Sequence, residues 1–119
     1  MKRRVLIDLE TTALTPERGE ILRLYARDLN DPSSTFDQLV KPKRPLSKLV
    51  QQITGITNEM VRDAPPLEAA MPDFLDFIDD SMIVSHNSTF ELGFLKTAIE
   101  ALHSQSFDAT SRSICLSEV

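Results

Sequence analysis

The sequence predicts one mixed α/β domain, and three observations carry that expectation. Apolar runs at 5–9, 20–29 and 35–40 follow one another with polar turn residues between them, the pattern of an antiparallel three-strand meander. Apolar residues then recur at helical spacing over 67–78 and again over 90–102. A short apolar run at 82–84 separates these two helices. A strand between helices marks a layered arrangement with helices packed on a sheet.

The elements follow in order. Val5, Leu6 and Ile7 begin a buried strand that ends in the polar turn Glu10-Thr11-Thr12. Ile21, Leu22, Leu24 and Tyr25 mark the second strand, and the turn Asn30-Asp31-Pro32-Ser33 leads to the third. Lys41-Pro42-Lys43-Arg44-Pro45 is a loop holding three of the 13 basic residues. Ser47 is placed to cap a short helix through Ile53 that Gly55 ends, and Thr57 to cap another through Arg62. Pro65-Pro66 opens a longer helix with Leu67, Met71, Phe74, Leu75 and Ile78 on one face. Pro72 lies inside it, which predicts a kink or a break there. After the strand at 82–84, Phe90, Phe94, Leu95, Ala98 and Leu102 define one face of a helix running to about His103. A loop follows from Ser106, and 114–116 begins another element.

Composition narrows the function classes. At 119 residues, 41% hydrophobic and 26% charged, the chain is sized and composed for one folded domain rather than a disordered tail. Three Gly and seven Pro leave no low-complexity linker. A net charge of −5 is unsuited to gripping phosphates with Lys and Arg alone. It suits carboxylates that hold divalent cations, with the cations meeting the phosphate. The single Cys115 cannot form an internal disulfide, so a reducing, cytoplasmic compartment is expected. Only Val5-Leu6-Ile7 separates Lys2-Arg3-Arg4 from Asp8, too short for a signal peptide. No stretch reaches membrane-spanning length, and no membrane partner is expected.

Two segments carry candidate chemistry. In Ile7-Asp8-Leu9-Glu10-Thr11-Thr12 the two acids are two residues apart on a strand. They project from one face with Cα atoms roughly 6–7 Å apart. Paired carboxylates beside an apolar run repel each other, and a bound cation relieves the repulsion. A strand that simply ends in solvent at Asp8 would show the same letters. The second segment is Ser85-His86-Asn87-Ser88-Thr89-Phe90-Glu91, at a strand-to-helix junction. Ser88 and Glu91 fit a capping box, with Ser88 at the N-cap. Glu91 also fits a third carboxylate of a metal site, with His86 and Asn87 at its mouth.

Taken in order, Asp8-x-Glu10-Thr11-Thr12, then Gly55-Ile56-Thr57-Asn58-Glu59-Met60-Val61 through Ala64-Pro65, then His86-Asn87-x-x-Phe90-acid-x-x-Phe94-Leu95 resemble the DEDD proofreading exonucleases, in particular those of bacterial replicative polymerases. The resemblance runs from Arg4 to about Ser117. It implies a ribonuclease H-like fold, with the meander joined to a parallel strand in one mixed sheet flanked by helices. It implies 3′→5′ hydrolysis releasing nucleoside monophosphates, driven by two divalent cations, Mg2+ or Mn2+. Asp8, Glu10 and Glu91 take the metal-binding and catalytic positions. Thr11, Thr12, His86, Asn87 and Phe90 take positions lining the pocket for the terminal nucleotide. The implied partners are a single-stranded 3′ end and a polymerase subunit or a second copy of the chain.

The chain departs from the family pattern at three places. Glu91 stands where the family has Asp, and Ala13 where it has Gly. The third departure is the final motif, His and Asp separated by four residues on a later helix, which supplies the general base and a fourth carboxylate. His103 and Asp108 match it in letters, but His103 falls at the end of the helix that carries Glu91. Residues 1–119 are therefore expected to form an exonuclease-like domain lacking its C-terminal part. Loss of a general base typically lowers a rate by about 10²–10⁴, so activity of this chain is expected to be weak or absent. The alternatives are a non-catalytic nucleic-acid-binding or regulatory module that keeps the fold, and a functionless fragment.

Overall fold

The computed structural model describes residues 3–85, 88–103 and 113–115. Among the described residues, five strands form one sheet in the order β3-β2-β1-β4-β5. They are β1 (Arg4–Thr11), β2 (Ile21–Asp28), β3 (Thr35–Leu39), β4 (Met82–Ser85) and β5 (Ser113–Cys115). The first three make the expected antiparallel meander, with Asp8 opposite Tyr25 and Glu10 opposite Arg23. β4 runs parallel to β1, placing Ile7 beside Ser85, and β5 adds a second parallel pairing outside β4.

Alternation along β1 sets the two faces of the sheet. Val5, Ile7 and Leu9 are buried, whereas Leu6, Asp8 and Glu10 face the other way and are more exposed. The buried face is covered by α3 (Leu67–Ile78) and α4 (Ser88–His103). Met71, Phe74 and Ile78 of α3 and Phe94, Leu95 and Ile99 of α4 join the strand residues in one apolar core. Phe36 meets Phe74 edge-on, with ring centroids 5.6 Å apart, a favoured aromatic geometry. α1 (Lys48–Thr54) and α2 (Asn58–Val61) close a second, smaller cluster of Leu22, Leu46, Ile56 and Val61.

Local chemistry explains the short helices. The Ser47 hydroxyl accepts from the Val50 N–H and caps α1, and the Thr57 hydroxyl accepts from Met60 and caps α2. Gly55 ends α1 at φ 74°, in the left-handed region that L side chains disfavour. A Cβ built there meets nothing within 4 Å. Gly55→Ala is therefore expected to lower stability through backbone strain alone, by about 1 kcal/mol, read as a shift in a urea midpoint with an unchanged slope.

Pro72 does not break α3, which is one helix from Leu67 to Ile78. Its missing N–H leaves the Glu68 carbonyl without a helical partner, but both residues are exposed, so water is at hand for that oxygen. At the other junction α4 begins at Ser88, so Ser88 is the first helical residue rather than the cap before it. His86, Asn87 and Asp108 lie outside the described residues, as does the side chain of His103.

Candidate active site

The carboxylates of Asp8 and Glu10 leave the same face of β1, one exposed and the other half-buried. Their neighbours on β2 are Tyr25 and Arg23. Arg23 could neutralise them, but it is drawn to β3. Its Nε and a terminal nitrogen donate to Asp37 Oδ1 and Oδ2 at 2.7 and 2.6 Å, and its guanidinium lies 5.3 Å from the Tyr25 ring centroid. This bidentate pairing is the strong form of the Arg–carboxylate bond. Burial raises the Glu10 carboxyl above its ordinary pKa, and the charge of Asp8 raises it further, while Arg23 lowers it. The two acids thus repel each other at a place where a divalent cation would be held. That pair fits one cation whose remaining ligands are water.

The raised pKa of Glu10 has a definite sign for stability. The folded chain holds the Glu10 proton more tightly than the unfolded chain does, so this contribution is present at acid pH and is lost as pH rises through the raised value. In metal-free buffer Glu10→Gln is expected to melt above the native chain near neutral pH. The two melting temperatures should converge as pH falls toward about 4. Saturating manganese should reverse the order, because only the carboxylate gains a ligand.

After Glu10 the β1–β2 register shifts, and the chain enters a tight loop. The Thr11 hydroxyl donates to the Ala13 carbonyl at 2.8 Å. The Thr12 hydroxyl accepts from the Glu20 N–H at 2.9 Å, fastening both ends of the loop. Ala13 is accommodated because Gly19 lies against it: a Cβ at Gly19 would come within 2.9 Å of the Ala13 nitrogen. The loop, α1 and the start of α4 enclose a cleft of about 360 Å3 whose lining includes Glu10, Thr11, Thr12, Leu14, Ile53 and Phe90. Its size is in the range of small-ligand sites. Leu14 and Ile53 are 84% and 74% exposed at its rim. Residue patterns had singled out neither of them. The available sign was Leu14 alone among polar residues after the strand, and Ile53 three residues beyond Val50 on a helix too short to bury both.

Glu10, Thr11, Thr12 and Phe90 therefore meet round one cleft, with Asp8 next to Glu10 on the same strand face. Glu91 is placed differently. It is 3% exposed, and its Oε1 accepts from the buried Ser85 hydroxyl at 2.7 Å. Ser85 is the register partner of Ile7 and shares its inward face, whereas Asp8 points outward. Among the described residues, no three of His, Cys, Asp and Glu are gathered as a set able to hold a metal ion.

The exonuclease family profile matches residues 5–117. The chain belongs to the exonuclease family. It is 37% identical over 98 residues to the PolC-type DNA polymerase III of Streptococcus sanguinis, and 38% identical over 98 residues to that of Thermotoga petrophila. Each alignment covers 81% of this chain but only 7% of the relative. Among solved structures, the nuclease domain of 3′hExo, a DEDDh family member bound to rAMP, superposes with a TM-score of 0.72 at 23% identity. That match covers 84% of this chain and 59% of the other. Exonuclease I in complex with an inhibitor superposes at 0.80 with 15% identity, over 99% of this chain and 29% of the other. The fold is ribonuclease H-like, as the sequence motifs imply. Among the described residues, no helix is long and apolar enough to cross a membrane.

Proposed function

We propose that this exonuclease-family chain is built for metal-dependent 3′→5′ trimming of single-stranded DNA in the cytoplasm, as the nuclease part of a polymerase assembly. One observation carries the reading: two mutually repelling carboxylates, Asp8 and Glu10, sit on one strand face, with Glu10 lining a cleft sized for a nucleotide. Asp8 and Glu10 would hold a divalent cation, Mg2+ or Mn2+, which supplies an activated water and stabilises charge on the phosphate. Phe90 offers a ring to a base, with the exposed Ile53 and Leu14 as apolar flanks, and stacking on an aromatic ring tolerates any base. Thr11 and Thr12 supply the polar lining that would face the sugar. Their hydroxyls are engaged within the loop, which fixes the wall rather than leaving it to rearrange.

The polymerase partner is inferred from relatives of which this chain spans about one-fourteenth, 7% of their length. The test is direct. The 119-residue chain is incubated with manganese and a single-stranded oligonucleotide labelled at its 3′ end, and in parallel with one labelled at its 5′ end. The reading expects labelled mononucleotide from the first and a ladder shortening from the 3′ end in the second. Internal cuts, or mononucleotide released first from the 5′ label, would refute it.

The Ser85–Glu91 hydrogen bond supports a second reading, a binding module that keeps the cleft and has lost turnover. Saturable, manganese-dependent oligonucleotide binding without any shortening would select that reading over the first.

A further inference from the structure

A second and larger depression, about 460 Å3, lies apart from the cleft. The loop at 12–19 separates the two: Pro16 crosses α4 at Gly93, where an added Cβ would meet the Pro16 ring at 3.9 Å. Phe90 lies on one side of that crossing and lines the cleft, and Phe94, Thr97 and Ala101 lie on the other and line the groove. Lys41, Lys43 and Arg44 form one rim.

These three cations are exposed, and among the described residues none is in an ion pair with a carboxylate. They are also held in place. The Lys41 N–H donates to the Pro65 carbonyl at 2.8 Å, and the Lys43 N–H to Glu20 Oε1 at 2.7 Å. Pro42 and Pro45 stiffen the same segment. Glu20, which also lines the groove, turns one carboxylate oxygen to the loop backbone, and Glu68 is the other acid in the lining. In a chain of net charge −5, a rigid edge of three cations against two acids, beside apolar walls, is a locally positive surface out of keeping with the overall balance.

We infer that this groove is a docking site for a short acidic peptide segment that buries one apolar side chain between α3 and α4 while its carboxylates meet Lys41, Lys43 and Arg44. Charge complementarity selects an anionic partner. The apolar walls then decide between peptide and nucleic acid. Apart from the thymine methyl, a nucleic-acid strand has no aliphatic group to bury, and it stacks its bases on exposed aromatic faces. Among the described residues, Phe94 is the sole aromatic lining this groove and is 3% exposed. A peptide side chain such as Leu matches the wall of Pro16, Pro66, Leu67 and Ala101.

The probe is a fluorescein-labelled peptide, Asp-Glu-Leu-Phe-Glu-Asp, titrated with the full chain and followed by anisotropy at about 0.15 M ionic strength. Saturable binding is expected. At least tenfold weakening is expected in three separate cases: Lys43→Glu combined with Arg44→Glu; Thr97→Trp, which fills the groove from an exposed position; and a control peptide with Ser for Leu and Phe. The control peptide needs no variant to fold. Oligonucleotide shortening at the cleft should be unchanged in both variants, so a failed nuclease assay and a failed peptide assay remain distinct results. Absence of saturable binding would overturn the inference. So would weakening by charge reversal alone, which would mark a non-specific cationic surface. Displacement of the peptide by oligothymidylate with matching sensitivity to Thr97→Trp would assign the groove to nucleic acid instead, and loss of self-association in Thr97→Trp would assign it to a second copy.

Discussion

Asparagine at position 8 is expected to abolish most of the response of the chain to manganese. Asp8→Asn keeps side-chain volume and removes one of two charges that share a strand face. Loss of an outer hydrogen-bonding partner of a metal site typically weakens metal binding by about 10–100-fold, and Asp8 would be a direct ligand. A weakening of at least about 100-fold is therefore expected, with hydrolysis of a labelled 3′ end lowered at least as far. The melting experiment makes this measurable without turnover. At a metal concentration about 100 times the native dissociation constant, binding stabilises the native chain by about 2.7 kcal/mol. A hundredfold weaker site gains only about 0.4 kcal/mol at the same concentration. The metal-free variant should melt no lower than the native chain, because removing the Asp8 charge also relieves its repulsion of Glu10. An unchanged manganese-induced rise in Asp8→Asn would remove the basis for a cation at this pair.

Features set by neighbours in the chain were legible before the structure. The Asp8–Glu10 pair needs only the two-residue period of a strand, and both acids do leave one face of β1. Ser47, Thr57 and Gly55 cap or stop helices through bonds to residues three or four positions away, and each does so here. What depended on distant partners was not legible. Pro72 was expected to disturb α3. Whether a freed carbonyl finds water depends on which side of the helix faces out, which follows from how Met71 and Phe74 pack on the sheet. The Ile53–Leu14 rim of the cleft joins α1 to the loop after β1 across about 40 positions of sequence. Spacing alone carries no sign of that meeting. β5 was expected only as an unspecified element, because three residues show no period until β4 offers an edge to pair with.

Glu91 is the sharpest instance, and its substitution is expected to have the second-largest effect. From the sequence it fitted both a helix cap and a metal ligand. In the fold its carboxylate takes a hydrogen bond from Ser85, whose position is fixed by the parallel pairing of β4 with Ile7. Glu91→Ala is expected to lower stability by about 1–3 kcal/mol, since it leaves the buried Ser85 hydroxyl without this acceptor. Loss of an acid from the first turn of α4 adds about 0.3–1 kcal/mol. Glu91→Gln separates the two roles. Its amide oxygen still accepts from Ser85, so the structural contribution survives, but it is a far poorer ligand for a divalent cation. If position 91 serves the β4–α4 junction, Glu91→Gln should melt close to the native chain, and its manganese-induced rise should match the native one. A rise cut as deeply as in Asp8→Asn would mean that the carboxylate leaves Ser85 when metal arrives and that the site closes around the ion. Measured on the same preparations, the three melts therefore decide whether position 91 anchors the core beneath β1 or takes part in the chemistry on its outer face.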